Sequence, residues 1–271
     1  MVHRMGRRQF LTDLGRGTFA IAFLGGLTTA CASDDDQGDD PTASTSADEA
    51  TTDVRPGASP SSGPNELRWA QASLGFVSAY VLVRGREAAV VDTGSAGSAD
   101  QIGAALATLG ANFDDVRHVV LTHSHPDHIG SLSAVLERSA GAAAYAGEAD
   151  IPNITAPVTV VSVGDGDDVF GLQVINTPGH TPGSISVLDP GIGLLLAGDA
   201  LTGNDDGSGL SGPDERFTSD MGTAYLSLEK LAGRELEAVG MGHGQPVLTG
   251  GGDALKRLVD ELGIVSEDSS G

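Results

Sequence analysis

The chain has 271 residues, with 37 acids against 15 bases, a formal net charge of −22 and one cysteine. Such acidity argues against a nucleic-acid partner, which needs a basic footprint, and fits a surface kept soluble by its charge. A lone cysteine excludes a disulfide within the chain.

The chain begins with a basic segment. Residues 1–31 carry Arg4, Arg7, Arg8 and Arg16 against one acid, Asp13. The apolar stretch that follows, residues 18–30, is shorter than the roughly 20 residues a membrane-spanning helix requires and suits the core of a signal peptide. Gly6-Arg7-Arg8-Gln9-Phe10-Leu11 resembles a twin-arginine export signal. Leu27-Thr28-Thr29-Ala30-Cys31 resembles a bacterial lipoprotein cleavage site, with Thr28 where an aliphatic residue is usual. The expectation is an exported protein, held at the outer face of the cytoplasmic membrane through Cys31 or secreted.

Residues 32–65 hold eight acids, one base (Arg55) and almost no large apolar side chain. They cannot bury enough surface to offset the entropy of ordering, so a disordered acidic linker is expected there. Residues 66–271 remain for a single globular domain. They contain 28 acids and 10 bases, so the acidity belongs to the domain as well as to the linker.

Within the domain, short apolar runs alternate with amphipathic ones, which predicts an α/β fold. Strands are expected over 79–83, 88–91 and 116–121. Helices are expected over 99–109, 131–138, 223–231 and 253–262.

Between the strand at 116–121 and the helix at 131–138 lies His123-Ser124-His125-Pro126-Asp127-His128. Three of the chain's seven histidines fall in these six residues. Neutral imidazole and carboxylate are ligands for zinc-like metals, and a strand-to-helix loop is where reactive groups are usually displayed. More such side chains follow. His180 lies in Thr177-Pro178-Gly179-His180-Thr181-Pro182-Gly183. Asp199 ends the run Leu194-Leu195-Leu196-Ala197-Gly198-Asp199, and His243 lies in Gly242-His243-Gly244. Each stands where an apolar stretch meets glycine or proline, so each is expected on a strand-end loop. Five histidines and two aspartates are thereby assembled.

His-x-His-x-Asp-His followed by a distant His, Asp and His resembles the pattern of the metallo-β-lactamase-fold hydrolases, over roughly residues 66–262. The resemblance implies a four-layer αββα sandwich with metals at one edge. It also implies a ligand assignment: His123, His125 and His180 for one metal, Asp127, His128 and His243 for a second, and Asp199 bridging them. Asp92, in Asp92-Thr93-Gly94, matches an aspartate that hydrogen-bonds near the site without binding metal. Two divalent cations are implied, zinc by default for His and Asp donors, with iron and manganese also accepted. Paired cations about 3.5–4 Å apart can share one solvent oxygen and bring its pKa toward about 7. The hydroxide would attack an ester, lactone, thioester or related bond of a small molecule, with Asp127 orienting it.

Some subfamilies fit less well. Asp199 is the bridging aspartate that zinc β-lactamases usually lack. Glyoxalase II-like enzymes add a basic C-terminal helical region, whereas only 28 residues follow His243 here. Quorum-quenching lactonases place a tyrosine where Thr202 stands. Two readings of other classes remain: a single-iron sulfur dioxygenase of the same fold, using positions such as His123, His180 and Asp199, and a non-catalytic metal-binding surface lipoprotein. Residues 205–220, rich in glycine, read as a flexible loop, with Phe217 and Met221 as candidate pocket residues.

Overall fold

Seven strands build the first sheet in chain order: β1 (Pro56–Gly57), β2 (Arg68–Ser73), β3 (Ser78–Arg84), β4 (Glu87–Val91), β5 (Val116–Leu121), β6 (Ala143–Gly147) and β7 (Val160–Val163). β1 to β4 pair antiparallel, and β4 to β7 pair parallel. The computed structural model describes residues 56–57 and 66–264. The signal-like segment, Cys31 and most of the linker lie outside them. Pro56–Gly57, inside the segment read as linker, pairs with Trp69 and Ala70.

The second sheet contains β8 (Asp168–Val169), β9 (Leu172–Asn176), β10 (Ile185–Asp189), β11 (Leu194–Leu196) and β14 (Ala238–Gly240), in spatial order β14-β11-β10-β9-β8. A separate ribbon pairs β12 (Thr202–Gly203) with β13 (Leu210–Ser211). The stretch read as a flexible loop is therefore partly regular.

Five α-helices complete the fold among the described residues: α1 (Ala99–Thr108), α2 (Pro126–Ile129), α3 (Leu132–Arg138), α4 (Met221–Ala232) and α5 (Gly251–Glu261). α1 buries Ala99, Ile102, Ala105 and Leu106, and α5 buries Gly251, Ala254, Leu255, Leu258 and Val259. Both sets follow the helical repeat that turns one stripe inward. Asp220 stands just before α4, and its carboxylate accepts from the Thr223 N–H at 3.1 Å and caps the helix.

The packing of these elements makes four layers. Val81, Val83, Val90, Val119 and Leu121 pack with α1 and α3 residues Ile102, Leu106, Leu132 and Val135. From the same strands, Tyr80, Leu82, Ala89, Val91 and Val120 meet Val174, Ile185, Val187, Leu194 and Leu196 of the second sheet. Leu188 and Leu195 point the other way, onto Leu228 and Leu231 of α4 and Leu255 and Leu258 of α5. The alternation of strand side chains thus sorts residues two by two between helix-facing and sheet-facing cores. Each fully buried leucine in this arrangement contributes about 1.5–3 kcal/mol relative to an exposed one. The result is the expected αββα sandwich.

A candidate dinuclear metal centre

Loops leaving the strands carry the candidate residues to one edge of the sandwich. β5 runs into His123, His125 and the short helix α2, which bears Asp127 and His128 behind Pro126. Proline is well placed at the first helical turn because its missing N–H would have no partner there. The β9–β10 connection supplies His180, the turn after β11 supplies Asp199, and the segment after β14 supplies His243.

The side chains converge in two groups. His123, His125, His180 and Asp199 present ligand atoms all within 4.8 Å of one another, and so do Asp127, His128 and His243. In the first group, His125 Nδ1 lies 3.1 Å from His123 Nε2 and 2.9 Å from His180 Nε2. In the second, His243 Nε2 lies 3.3 Å and His128 Nε2 4.0 Å from Asp127 Oδ2. Asp199 reaches both groups. Its Oδ2 is 3.4 Å from His180 Nε2 and 3.2 Å from His243 Nε2, while its Oδ1 is 3.3 Å from His128 Nε2. All seven residues picked out from the sequence are brought together.

Four of the five imidazoles have their other nitrogen held. His128 Nδ1 meets Asp92 Oδ2 at 2.8 Å, and His123 Nδ1 meets Thr122 Oγ1 at 3.1 Å. His180 Nδ1 meets Thr218 Oγ1 at 3.2 Å, and His243 Nδ1 donates to the Phe76 carbonyl at 2.7 Å. Such contacts fix ring orientation and tautomer, leaving the inward nitrogen as the lone-pair donor. Asp92 acts as expected, beside the groups rather than in either. It has φ +60, and its carboxylate also accepts from Thr122 N–H and Oγ1 at 2.8 and 2.7 Å. A non-glycine residue in the left-handed region is a local strain that the surrounding contacts must hold.

Asp150 was not singled out from the sequence. Fully buried, it accepts from Ser124 N–H at 2.7 Å, Thr181 Oγ1 at 2.7 Å and Gly183 N–H at 2.8 Å. It therefore ties the loop of His123 and His125 to the loop of His180. Glu148-Ala149-Asp150 reads locally as an ordinary polar turn, and nothing in the sequence marks the distant partners. Thr218 and the Phe76 carbonyl escaped notice for the same reason.

The electrostatics differ across the site. Burial pushes His123 well below the usual histidine range, and pushes His180 down to about 4. Burial also works against a charged His128, but Asp92 and Asp199 outweigh it and raise His128 to about 10. The hydrogen bond to Asp199 raises His243. Burial alone would push Asp199 up, yet its contacts with His128 and His243 hold it well below the ordinary carboxylate range.

A cavity of about 560 Å³ opens over the two groups, lined among others by Asp127, Asp199, His243, Phe76, Arg216 and Phe217. Phe217 is thus a cavity residue as expected. Met221 is not among the lining residues; it is the first residue of α4 and is half-buried.

Metal ions suit this donor set. Buried polar atoms are ordinarily satisfied, yet His128 Nε2 and Asp199 Oδ1, both aimed into the site, have no hydrogen-bond partner. Close-set imidazole lone pairs facing carboxylates are stabilised by a cation between them. Gly242 makes room for this crowding: a Cβ there would stand 2.1 Å from Asp199 Oδ1 and 2.4 Å from His128 Cε1.

This fold and donor arrangement define a metallohydrolase-type protein. Residues 72–243 match the model of the metallo-beta-lactamase superfamily, and the chain belongs to that family. It is 31% identical over 200 residues to the uncharacterized protein YobT of Bacillus subtilis strain 168, covering 62% of this chain and 83% of that protein. It is 33% identical over 146 residues to the hydroxyacylglutathione hydrolase of Idiomarina loihiensis, covering 53% of this chain and 52% of the relative, so it spans about half of that enzyme. Among solved structures, a metallo-beta-lactamase family protein from Thermus thermophilus superposes with a TM-score of 0.55 at 25% identity, covering 69% of this chain and 75% of that one.

Proposed function

We propose that the chain is a dinuclear metal-dependent hydrolase of a small-molecule ester, lactone, thioester or related bond, with zinc as the principal ion. The observation that carries this reading is Asp199, whose Oδ2 stands between His180 of one group and His243 of the other at 3.4 and 3.2 Å, while its Oδ1 faces His128 at 3.3 Å. One carboxylate shared by two donor sets is what a two-cation site requires. His123, His125 and His180 would hold one ion, and Asp127, His128 and His243 the other. Cations bound there supply Lewis acidity that activates water near neutral pH and polarises a substrate carbonyl.

The chain's own groups then have separate tasks. Asp127 is the more open of the two aspartates, its side chain 26% exposed against 10% for Asp199. It lines the cavity and is suited to accept the attacking water's hydrogen bond. Asp92 keeps His128 oriented through Nδ1. Asp150 keeps the two loops of the first group in register. Similarity to hydroxyacylglutathione hydrolases supports including thioesters among the bonds attacked.

The test is metal quantification joined to a panel of esters, lactones and thioesters. Two ions per chain with turnover on one bond class is the expected result. Well under one ion per chain, or a loaded protein inert on the panel, overturns the reading; iron with oxygen uptake would point to the dioxygenase chemistry instead.

We also propose export through the Arg7-Arg8 signal and anchoring through Cys31. Joint replacement of Arg7 and Arg8 by lysine should leave the precursor in the cytoplasm, and Cys31→Ser should release the mature domain from membranes. Unchanged fractionation of the two variants refutes these two steps respectively.

A further inference from the structure

Two of the most exposed large apolar side chains among the described residues, Phe76 at 69% and Phe217 at 63%, line the same cavity. An exposed phenylalanine at one point of a surface is ordinary. Two at the mouth of one cavity, each tied to a different metal-ligand candidate, call for a reason. Phe76 holds His243 Nδ1 with its carbonyl at 2.7 Å, and its ring stacks on that imidazole at 5.9 Å, 8° from parallel. Phe217 precedes Thr218, whose hydroxyl meets His180 Nδ1 at 3.2 Å. The next residue, Ser219, donates from its backbone to the His180 carbonyl at 3.1 Å. One aromatic residue therefore belongs to each half of the centre, and short contacts hold the backbone at Phe76 and the residues that follow Phe217.

Charge at the mouth adds a second constraint. Among the described residues, Arg216 is the only lysine or arginine lining the cavity. Asp214 occupies it: Arg216 Nη2 donates to Asp214 Oδ2 at 2.5 Å and Nε to Oδ1 at 3.0 Å. The guanidinium is also 5.4 Å from the Phe217 ring centroid, so its charge is turned onto the carboxylate and the ring face. Arg216 is thus paired with Asp214 in an exposed contact, and Asp127 adds a further carboxylate at the mouth. Among the described residues that line the cavity, no lysine or arginine other than this paired one is left to receive a substrate carboxylate away from the metal groups.

We propose that Phe76 and Phe217 clamp an uncharged substrate with apolar groups on both sides of the scissile bond, and that anionic substrates such as acyl-glutathione thioesters are disfavoured. This rests on the hydrolase reading and narrows its substrate class to neutral esters and lactones with an apolar acyl or alcohol part. Burial of apolar substrate area against two rings already placed at the mouth supplies affinity.

The experiment uses the full zinc-loaded chain with Phe76→Ala and Phe217→Ala. Both rings are exposed, and the Phe76 carbonyl survives substitution, so metal content should match that of the unchanged protein. Binding is measured by calorimetry with a non-hydrolysable hexanoyl anilide and with an S-alkyl glutathione. Turnover is measured on p-nitrophenyl acetate, hexanoate and an acyl-glutathione thioester. The expected result is tighter binding of the anilide than of the glutathione conjugate, with each variant weakening the anilide about tenfold, as loss of part of a buried phenyl contact implies. The preference for hexanoate over acetate should shrink in both variants through KM. Absent anilide binding, equal anilide affinity in all three proteins, or a preference for the glutathione compounds overturns the clamp. Anilide binding that depends on both rings, without hydrolysis of any ester, leaves the clamp standing and overturns the hydrolase reading.

Discussion

The two halves of the centre are built from similar residues and buffered differently. In the first, His123 and His180 have side chains only 1% and 2% exposed, and burial keeps them neutral. In the second, His243 and Asp127 are 30% and 26% exposed, and aspartates drive His128 and His243 toward the protonated form. The first half is a preformed set of lone pairs held by Asp150. The second is an ion-paired network held by Asp92. A cation entering the second half must displace protons, because metal ligation needs neutral imidazole; one entering the first need not. The second half should therefore load later, with a steeper dependence on pH; both halves line the cavity, and the second holds its more exposed aspartate, Asp127.

Breaking the second half alone should have the largest effect. Asp127→Asn keeps the shape but removes the charge that steadies a cation and accepts the water's hydrogen bond. Turnover should fall at least about 100-fold, the lower range for a positioned acid–base group. The first ion should be retained, since His123, His125 and His180 are untouched. Near-normal turnover with both ions present would remove Asp127 from the mechanism.

Asp92→Asn attacks the same half from behind. An amide nitrogen facing His128 Nδ1 would donate to it, moving the imidazole proton to Nε2, where the lone pair is needed. Affinity for the second ion should drop about 10–100-fold, readable in a competition titration with a chromophoric chelator, while the first ion, which Asp92 reaches only through Thr122, should weaken less. Equal weakening of both ions would show that Asp92 supports the whole edge rather than one half.

Asp150→Asn makes the complementary cut. Its Oδ1 and Oδ2 both accept from backbone N–H groups, of Gly183 and Ser124. An amide NH2 would set donor against donor at one of them. First-ion affinity should fall about tenfold, at the low end for residues that orient ligands, with second-ion affinity little changed. A shift confined to the second ion would contradict the division of labour.

The difference between the halves also explains what was legible in the sequence. The strand at 116–121 and the four longer helices are written in local periodicity, and their observed bounds fall within two residues of those read from the pattern. The seven candidate ligands were legible because metal binding needs unusual residue types at loop positions. Asp92 was visible only through the family resemblance, as the aspartate that ends an early strand. Asp150, Thr218 and the Phe76 carbonyl were not visible, since their roles arise from contacts 26, 38 and 167 residues away. Met221 failed as a pocket residue because an apolar side chain at a helix start carries no signal of which way the helix will face. The glycine-rich stretch after Asp199 concealed the β12–β13 ribbon, whose two-residue strands are too short to show alternation.

Removing the metals should expose the contrast as opposite pH limbs of stability. Consider chelator-treated protein. His180 titrates near 4 when folded against about 6.5 when unfolded. Between those values the unfolded chain binds more protons, so stability falls as pH drops through this window. His128 titrates near 10 when folded. Between about 6.5 and 10 the folded chain holds the extra proton, so this contribution is intact below 6.5 and is lost as pH rises through 10. The two half-sites together should give the metal-free chain a stability maximum near neutrality. His180→Gln should flatten the acid limb and His128→Gln the alkaline limb, each by a few degrees of melting temperature. Thermal unfolding followed across pH 4 to 10 provides the check. A loss of both limbs in either single variant would mean that the histidines titrate as one coupled cluster, and the contrast between a neutral half and a charged half would then fail.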